Sequence, residues 1–194
     1  MLKLFRKSMT GLSDEELMDK TCGGSERALE EIYQRYSQPL LRYFYRMLWQ
    51  DKNKAEDFLH DLFIKIMERQ GQFDSSRKLS TWMYSIAHNM CKNEYRKQAF
   101  RTSVQYLHNG NAISDESITQ QMDHESFHII LERLLNEEGE EARTLFILRH
   151  ELDMSFAEIG EVVCCPEGTV KSRLFYLKKK LALALVDYKV VLEK

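Results

Sequence analysis

Proline is almost absent from this 194-residue chain, which contains only 2, Pro39 and Pro166. Glycine is sparse too, with 8 residues, whereas leucine, glutamate, lysine, arginine, glutamine and methionine are abundant. Because helices tolerate proline and glycine least, their scarcity favours long helices. No segment shows the strict polar–apolar alternation of a half-buried strand, and there is no internal repeat. The composition therefore predicts an all-α fold.

Long hydrophobic runs are also missing. No stretch approaches the roughly 20 apolar residues of a membrane-spanning helix, and residues 1–16 carry no apolar segment of signal-peptide length. We therefore expect a cytoplasmic protein with no membrane insertion. The 4 cysteines form no framework of spaced pairs, so we interpret them as reduced structural thiols. His88 and Cys91 have the spacing of zinc ligands but no second matched pair, so we predict no metal and no cofactor.

An excess of one charge is absent overall, since 28 basic and 30 acidic residues nearly cancel. The distribution along the chain is nevertheless uneven. Residues 77–101 carry six basic residues and one acid, residues 171–181 carry five basic residues and no acid, and residues 115–141 carry nine acids and one arginine. Two basic zones separated by an acidic zone suggest two contacts with DNA and a connecting segment that stays off it.

Residues 154–181 predict a helix, a tight turn and a second, strongly basic helix. Ser155 and Glu158 form a capping box that starts the first helix at Phe156, and Pro166 suits the first turn of the second helix. Such a helix-turn-helix places hydrogen-bond donors in the major groove of duplex DNA. Val170 and Leu174 are spaced to face inward. The candidate duplex-contacting residues of the second helix are Thr169, Lys171, Ser172, Arg173, Phe175, Tyr176 and Lys179. A solvated helical hairpin whose lysines serve only solubility is the alternative interpretation.

A second candidate surface lies on the helix predicted over residues 81–97 and on the loop before it. Aromatic, amide and basic side chains alternate there, and this mixture suits unpaired bases, which stack on rings and offer hydrogen-bonding edges. A duplex backbone needs only cations. The candidate residues are Arg77, Lys78, Asn89, Asn93, Arg96 and Lys97. We expect Trp82 in the core. The alternative to nucleic-acid binding is that the polar residues form a helix face that contacts only solvent.

Other segments complete the outline. Ser13 and Glu16 form another capping box, Ser25 can cap the next helix, and residues 55–67 form a strongly amphipathic helix. We expect its apolar side to consist of Phe58, Leu59, Leu62, Phe63, Ile66 and Met67. Helical periodicity fades from residue 100 to about residue 118, which predicts a linker between two all-α domains.

Two blocks of this sequence together resemble the extracytoplasmic-function class of sigma factors, the smallest members of the sigma-70 superfamily. The block AEDFLHDLFIKIMERQGQFDSSRKLSTWMYSIAHNMCKNEYRK resembles the second conserved region of that family. The block EEARTLFILRHELDMSFAEIGEVVCCPEGTVKSRLFYLKKKL resembles the fourth. The resemblance implies a region 2-like domain over 12–101, a flexible linker over 102–125 and a region 4-like helix-turn-helix domain over 126–194.

The family resemblance implies a non-enzymatic factor that binds core RNA polymerase and directs promoter recognition and melting. By position, the −35 duplex would be contacted by Thr169, Lys171, Ser172, Arg173 and Phe175. The −10 strand would be contacted by Asn89, Asn93 and the loop 73–79, with Arg96 and Lys97 on its backbone. The helix that docks on the β′ clamp coiled coil is matched by Asp57, His60, Asp61 and Phe63. Residues near Leu145, Phe146 and Leu148 would help form the domain that meets the β flap. An anti-sigma factor that covers the polymerase-binding faces is a further partner that the family implies.

Other function classes stay open at this point. The His60–Asp61 dipeptide also occurs in metal-dependent phosphohydrolases, although no other histidine of the chain has a matching pattern. A stand-alone helix-turn-helix regulator would dimerise to bind two half-sites, and a pure interaction module would use its basic faces on acidic proteins. The chain also departs from many relatives, which carry arginine at the positions of Lys171 and Tyr176. Lysine cannot make the two-pronged guanine contact of arginine. We therefore expect the −35 sequence bound by this protein to differ from that of better-known family members.

Overall fold

The computed structural model describes the backbone of residues 9–109 and 127–192 and the side chains of 9–101 and 129–185. Within these ranges the chain is helical and contains no strand, which confirms the all-α prediction. The elements are α1 (Asp14–Cys22), α2 (Glu26–Met47), α3 (Lys52–Arg69), a short 3-10 helix (Gln70–Gln72), α4 (Leu79–Asn109), α5 (Phe127–Glu137), α6 (Glu140–His150), α7 (Phe156–Val163) and α8 (Glu167–Leu192).

The chain divides into two compact units. The first contains α1, α2, α3 and the beginning of α4, and the second contains the rest of α4, α5, α6, most of α7 and α8. Among the described residues, no helix is both long and apolar enough to cross a membrane.

In the first unit, α2 packs against both α1 and α3. Serine and aspartate side chains fix where these helices begin: Ser13, Ser25 and Asp51 each accept a hydrogen bond from the backbone N–H three residues later. The Ser13–Glu16 capping box is present as predicted. The core contains fully buried aromatic rings, with Tyr43 edge-on to Tyr84 at 5.4 Å. Burying a side chain of this size contributes about 1.5–3 kcal/mol to folding stability, so the core holds the helices that carry the exposed faces in place.

In the second unit, α5, α6 and α8 pack against one another. The predicted capping box of Ser155 and Glu158 starts α7 at Phe156. The helix ends at Cys164, which adopts the left-handed conformation with φ 55°, and the Cys165 N–H donates to the Gly160 carbonyl at 2.9 Å. A Cβ at Gly160 would lie 2.7 Å from the Cys165 carbonyl oxygen. Glycine is therefore required there by the turn itself.

The predicted linker begins inside a helix. α4 continues through residues 102–109, which the sequence pattern assigned to the linker. The physical reason is the absence of a helix breaker: no glycine or proline occurs between Leu79 and Gly110. The rest of the predicted linker, residues 110–125, falls on the undescribed segment 110–126.

Candidate nucleic-acid interface

The exposed face of α8 presents the residues that the sequence singled out. Val170 and Leu174 are buried, at 0% and 7% exposure, whereas Phe175 and Tyr176 are 66% and 64% exposed. Thr169 is half-buried, and the remaining candidates are exposed: Lys171, Ser172, Arg173 and Lys179. The predicted orientation of the helix is therefore confirmed. Because its N-terminal turns carry donors on an exposed face, α8 has the shape and chemistry of a major-groove helix.

Carboxylates of the same unit meet several cations of α8. Lys171 pairs with Glu167 at 2.6 Å one turn earlier on the helix. Arg173 Nη1 pairs with Glu141 Oε1 of α6. Lys180 Nζ lies 2.8 Å from Oε2 and 3.2 Å from Oε1 of Glu138, in the turn between α5 and α6. The last two pairs could not be predicted from local sequence patterns, because their partners are 32 and 42 residues apart in the chain.

The second candidate surface runs along α4. Asn89, Asn93, Arg96 and Lys97 are all exposed, and their spacing of three or four residues places them along one stretch of the helix. Trp82 lies nearer the start of the helix and is half-buried, with its ring 5.4 Å from that of Phe73. The tryptophan therefore supports the preceding loop and is less deeply buried than expected.

The loop at 73–78 is held at several points. Asp74 Oδ1 accepts hydrogen bonds from the Ser76 hydroxyl at 2.7 Å and from the Ser76 N–H at 3.0 Å. These bonds, with a smaller contribution from the nearby Arg77, hold the pKa of the Asp74 carboxyl below its usual value. At the other end, Glu15 Oε1 accepts from the Leu79 N–H at 3.1 Å, while the Leu79 side chain is fully buried. The loop is therefore preorganised before any ligand binds.

A cavity of about 570 Å³ opens beside this loop. It is lined by Asp14, Glu15, Ser75, Ser76, Arg77, Lys78 and Ser80. Arg77 and Lys78 were predicted from the sequence, whereas the two acids, which belong to α1, were not. The capping box at Ser13 marks the start of α1, but only the packing of α1 against the rest of the unit brings these acids to the loop.

The exposed face of α3 contains three of the four residues that the sequence suggested for polymerase binding. Asp57, His60 and Asp61 are exposed. Phe63 is only 7% exposed, with its ring 4.8 Å from that of Tyr33, so it is a core residue and does not present a contact surface. Met67 was expected on the buried side but is 42% exposed, and Ile64 is 48% exposed. The exposed stripe of α3 therefore combines acids with two apolar side chains that the sequence pattern did not assign to it.

The second unit also contains an apolar groove between α5, α6 and α8, with a volume of about 320 Å³. Leu145 and Leu148 are buried in the core, at 1% and 0% exposure, whereas Phe146 lines the groove. The groove is lined by Leu131, Phe146, His150, Leu174, Leu177, Lys178, Leu181, Ala182 and Leu185. Burial, then the nearby cations Arg149 and Lys178, lowers the pKa of His150, which favours the neutral imidazole at this edge.

The described residues contain neither a cluster of metal-binding side chains nor a disulfide. No group of three or more histidine, cysteine, aspartate or glutamate side chains among the described residues could hold a metal ion. His60 and Asp61 accordingly have no further ligands gathered around them there. None of the four cysteines forms a disulfide.

Family comparisons agree with this geometry. Residues 32–101 match the family model described as Sigma-70 region 2, and residues 128–181 match Sigma-70, region 4. The RNA polymerase sigma-H factor of Pseudomonas aeruginosa is 26% identical over 186 residues, covering 91% of this chain and 96% of that protein. The ECF RNA polymerase sigma factor SigW of Bacillus subtilis is 28% identical over 182 residues, covering 84% and 92%.

Solved structures show the same fold. CnrH in complex with the cytosolic domain of CnrY has a TM-score of 0.66 at 20% identity and covers 90% of this chain and 97% of its own. The sigma factor RpoE in complex with the anti-sigma factor NepR from Bartonella quintana has a TM-score of 0.58 at 23% identity, covering 80% and 97%.

Region 2 followed by region 4 defines a sigma factor of the sigma-70 superfamily, a transcription initiation factor and not an enzyme. Within that superfamily the chain belongs to the extracytoplasmic-function class. The prediction of an alternative sigma factor is thereby confirmed, and the comparisons give no support to a stand-alone regulator.

Proposed function

We propose that this sigma factor selects promoters by binding duplex DNA with α8 and unpaired bases with α4 and its loop. The observation that carries the proposal is the pair of exposed faces, one rich in donors on a helix-turn-helix, the other combining amides, cations and a preorganised loop. We place the working domains at 12–101 and 126–194, with 102–125 between them. Acting with core polymerase, the protein would work in the cytoplasm.

The α8 face would contact the −35 element. Arg173 is the residue best suited to a guanine edge, because its planar guanidinium can donate two parallel hydrogen bonds. Lys171 and Lys179 would serve mainly as phosphate contacts, which position the helix without selecting a sequence. Thr169, Ser172, Phe175 and Tyr176 would add hydrogen bonds and apolar contacts along the groove.

The α4 face and its loop would hold the non-template strand of the −10 element. Asn89 and Asn93 offer amides to base edges, and Arg96 and Lys97 offer cations to the backbone. The cavity beside Arg77 and Lys78 has room for a base turned out of the stack. Capturing such a base there would offset an unstacking cost of a few kcal/mol.

Two further faces would bind core polymerase. Asp57, His60 and Asp61 of α3, flanked by the exposed Ile64 and Met67, would dock on the β′ clamp coiled coil. The apolar groove lined by Phe146 and the leucines of α8 would meet the β flap. Because CnrH and RpoE were solved with CnrY and the anti-sigma factor NepR, we infer that an anti-sigma factor covers one or both of these faces here as well.

Transcription in vitro tests the proposal directly. The purified chain would be mixed with bacterial core polymerase and a randomised promoter library, and the start sites sequenced. We expect start sites preceded by two short fixed elements at a constant spacing, absent when the chain is omitted. Transcripts that start at random, or a chain that does not associate with core polymerase, would contradict the proposal.

A further inference from the structure

Two glutamates lie against the recognition surface of the second unit. Glu138 occupies the turn after α5, and Glu141 lies in the first turn of α6. Gly139 between them has φ 90°, a left-handed backbone that favours glycine. This turn presents both carboxylates to α8.

On α8, the two partners lie on one face. Arg173 and Lys180 are two helical turns apart, and Tyr176 stands between them. Glu141 pairs with Arg173 and Glu138 pairs with Lys180. A shallow cavity of about 260 Å³ runs between the two pairs, lined also by Ala142, Leu145, Tyr176 and Leu177. The two pairs therefore lie side by side along one strip of the surface. We call Glu138 and Glu141, the acidic members of the pairs, the acidic brace.

All four charged side chains remain at least partly exposed to solvent. The exposed fractions are 44% for Arg173 and 57% for Glu141, and 65% for Lys180 and 28% for Glu138. Pairs as exposed as these contribute little to stability, about 0–1 kcal/mol each. The brace is thus poorly explained as a device that holds the fold together.

Its effect on DNA contacts differs between phosphates and bases. A phosphate carries a full negative charge, so a carboxylate beside the cation repels it directly. A guanine edge is neutral and offers only acceptor atoms, so the same carboxylate costs that contact much less. Non-specific binding rests almost entirely on phosphates, so on such duplex both Arg173 and Lys180 would meet phosphate. On a promoter, Arg173 would instead reach a base edge.

We propose that Glu138 and Glu141 are specificity-determining residues, which weaken non-specific phosphate binding by α8 more than they weaken its contact with the −35 base edges. This inference rests on the proposed function, since it needs α8 to face promoter duplex. It assigns a role to acids that themselves touch no base.

The test uses holoenzyme assembled from core polymerase and the full chain. Two probes of equal length are compared, a promoter recovered from the randomised library and a scrambled duplex of the same composition. Affinity for each is measured over a salt series for wild type and for the double variant E138Q/E141Q. The control is E137Q, which removes one charge at an exposed position at the end of α5, next to Glu138.

We expect the double variant to bind the scrambled duplex on the order of fivefold more tightly, with a smaller gain on the promoter. Its plot of log affinity against log salt should steepen by about 0.9 for each phosphate newly contacted. E137Q should change both affinities by less than half as much. Unchanged thermal unfolding would show that the fold is intact.

Several results would overturn the inference. An effect of E137Q half as large as that of the double variant would mean that only net charge matters. Loss of promoter affinity without any gain on scrambled duplex would mean that the glutamates merely orient Arg173 and Lys180. If wild type selects promoters and the double variant discriminates equally well, only this inference fails. If wild type recovers no promoter at all, the proposed function fails.

Discussion

The two DNA-binding surfaces proposed here differ in where their negative charge lies. On α8, carboxylates pair with the cations themselves, as Glu141 does with Arg173. On the first unit, Glu15 bonds to a backbone amide that begins α4, and Asp74 bonds mainly within the loop. Arg96 and Lys97 on α4 have no ion-pair partner among the described residues. Acids pair with three cations of α8, whereas the acids beside α4 hold the loop and pair with Arg77 of that loop.

This difference matches the ligands proposed for the two surfaces. Every duplex offers the same phosphates, so a duplex-binding helix benefits from restrained phosphate attraction. Single-stranded DNA is rare, and binding it requires the free energy that unstacks its bases. A surface for it therefore benefits from cations without ion-pair partners and from a preformed loop.

The largest expected effect comes from Arg173→Ala. Losing a two-pronged base contact costs about 1–3 kcal/mol, so promoter affinity of the holoenzyme should fall roughly fivefold to 150-fold. Gel-shift titration measures it. The control is Lys179→Gln, because Lys179 is exposed and has no ion-pair partner within the described residues. An equal loss in both variants would mean that Arg173 contacts only phosphate.

Next in size is the polymerase-binding face of α3. The double variant D57N/D61N should weaken binding to core polymerase about tenfold, since two charge-assisted contacts would be lost. Fluorescence titration against core enzyme measures this affinity. The charge-matched control E26Q/E30Q, on exposed positions of α2, should bind normally. An equal loss of affinity for core polymerase in the control would mean that the acids of α3 do not contact the polymerase specifically.

A smaller effect is expected from Asn89→Ala on α4. One lost hydrogen bond is worth about 1 kcal/mol, so promoter opening should slow about fivefold while duplex binding stays near wild type. Permanganate reactivity of unpaired thymines follows the opening. Gln38→Ala, which removes an exposed amide on α2, serves as the control. If Asn89→Ala opens the promoter at the normal rate, Asn89 does not contact the melted strand.

The smallest effect should come from Glu15. Glu15→Ala removes the acceptor of the Leu79 N–H, whereas Glu15→Gln keeps an oxygen in reach. We expect faster hydrogen exchange at the Leu79 amide in the alanine variant only, with opening slowed about twofold to threefold. Exchange that matches wild type in both variants would show that Glu15 does not anchor the loop.

Local signals in the sequence predicted much of this molecule. Both capping boxes formed where the spacing placed them, and Val170 and Leu174 turned inward as the helical period required. Errors arose where the answer depends on neighbouring helices. Met67 was expected on the buried side of α3 but is exposed, since the width of the buried stripe is set by the packing of α2. Phe63 is buried as the helical period required, which removes it from the exposed polymerase-binding candidates.

The acids near the two DNA surfaces illustrate the same limit. Glu15 and Glu141 meet their partners across 64 and 32 residues of chain, and no periodic pattern reports such distances. Residues 102–109 show a different difficulty, because a weak apolar period does not end a helix that contains no breaker.

We expect α8 to serve duplex binding and α4 to serve strand opening, and a paired measurement on one promoter separates the two roles. Holoenzymes carrying R173A or N89A would be followed on the same promoter, for total binding by gel shift and for strand opening by permanganate. We predict that R173A lowers binding while the bound complexes still open, and that N89A lowers opening while binding persists. Equal losses of both signals in both variants, or losses assigned the other way round, would contradict the account.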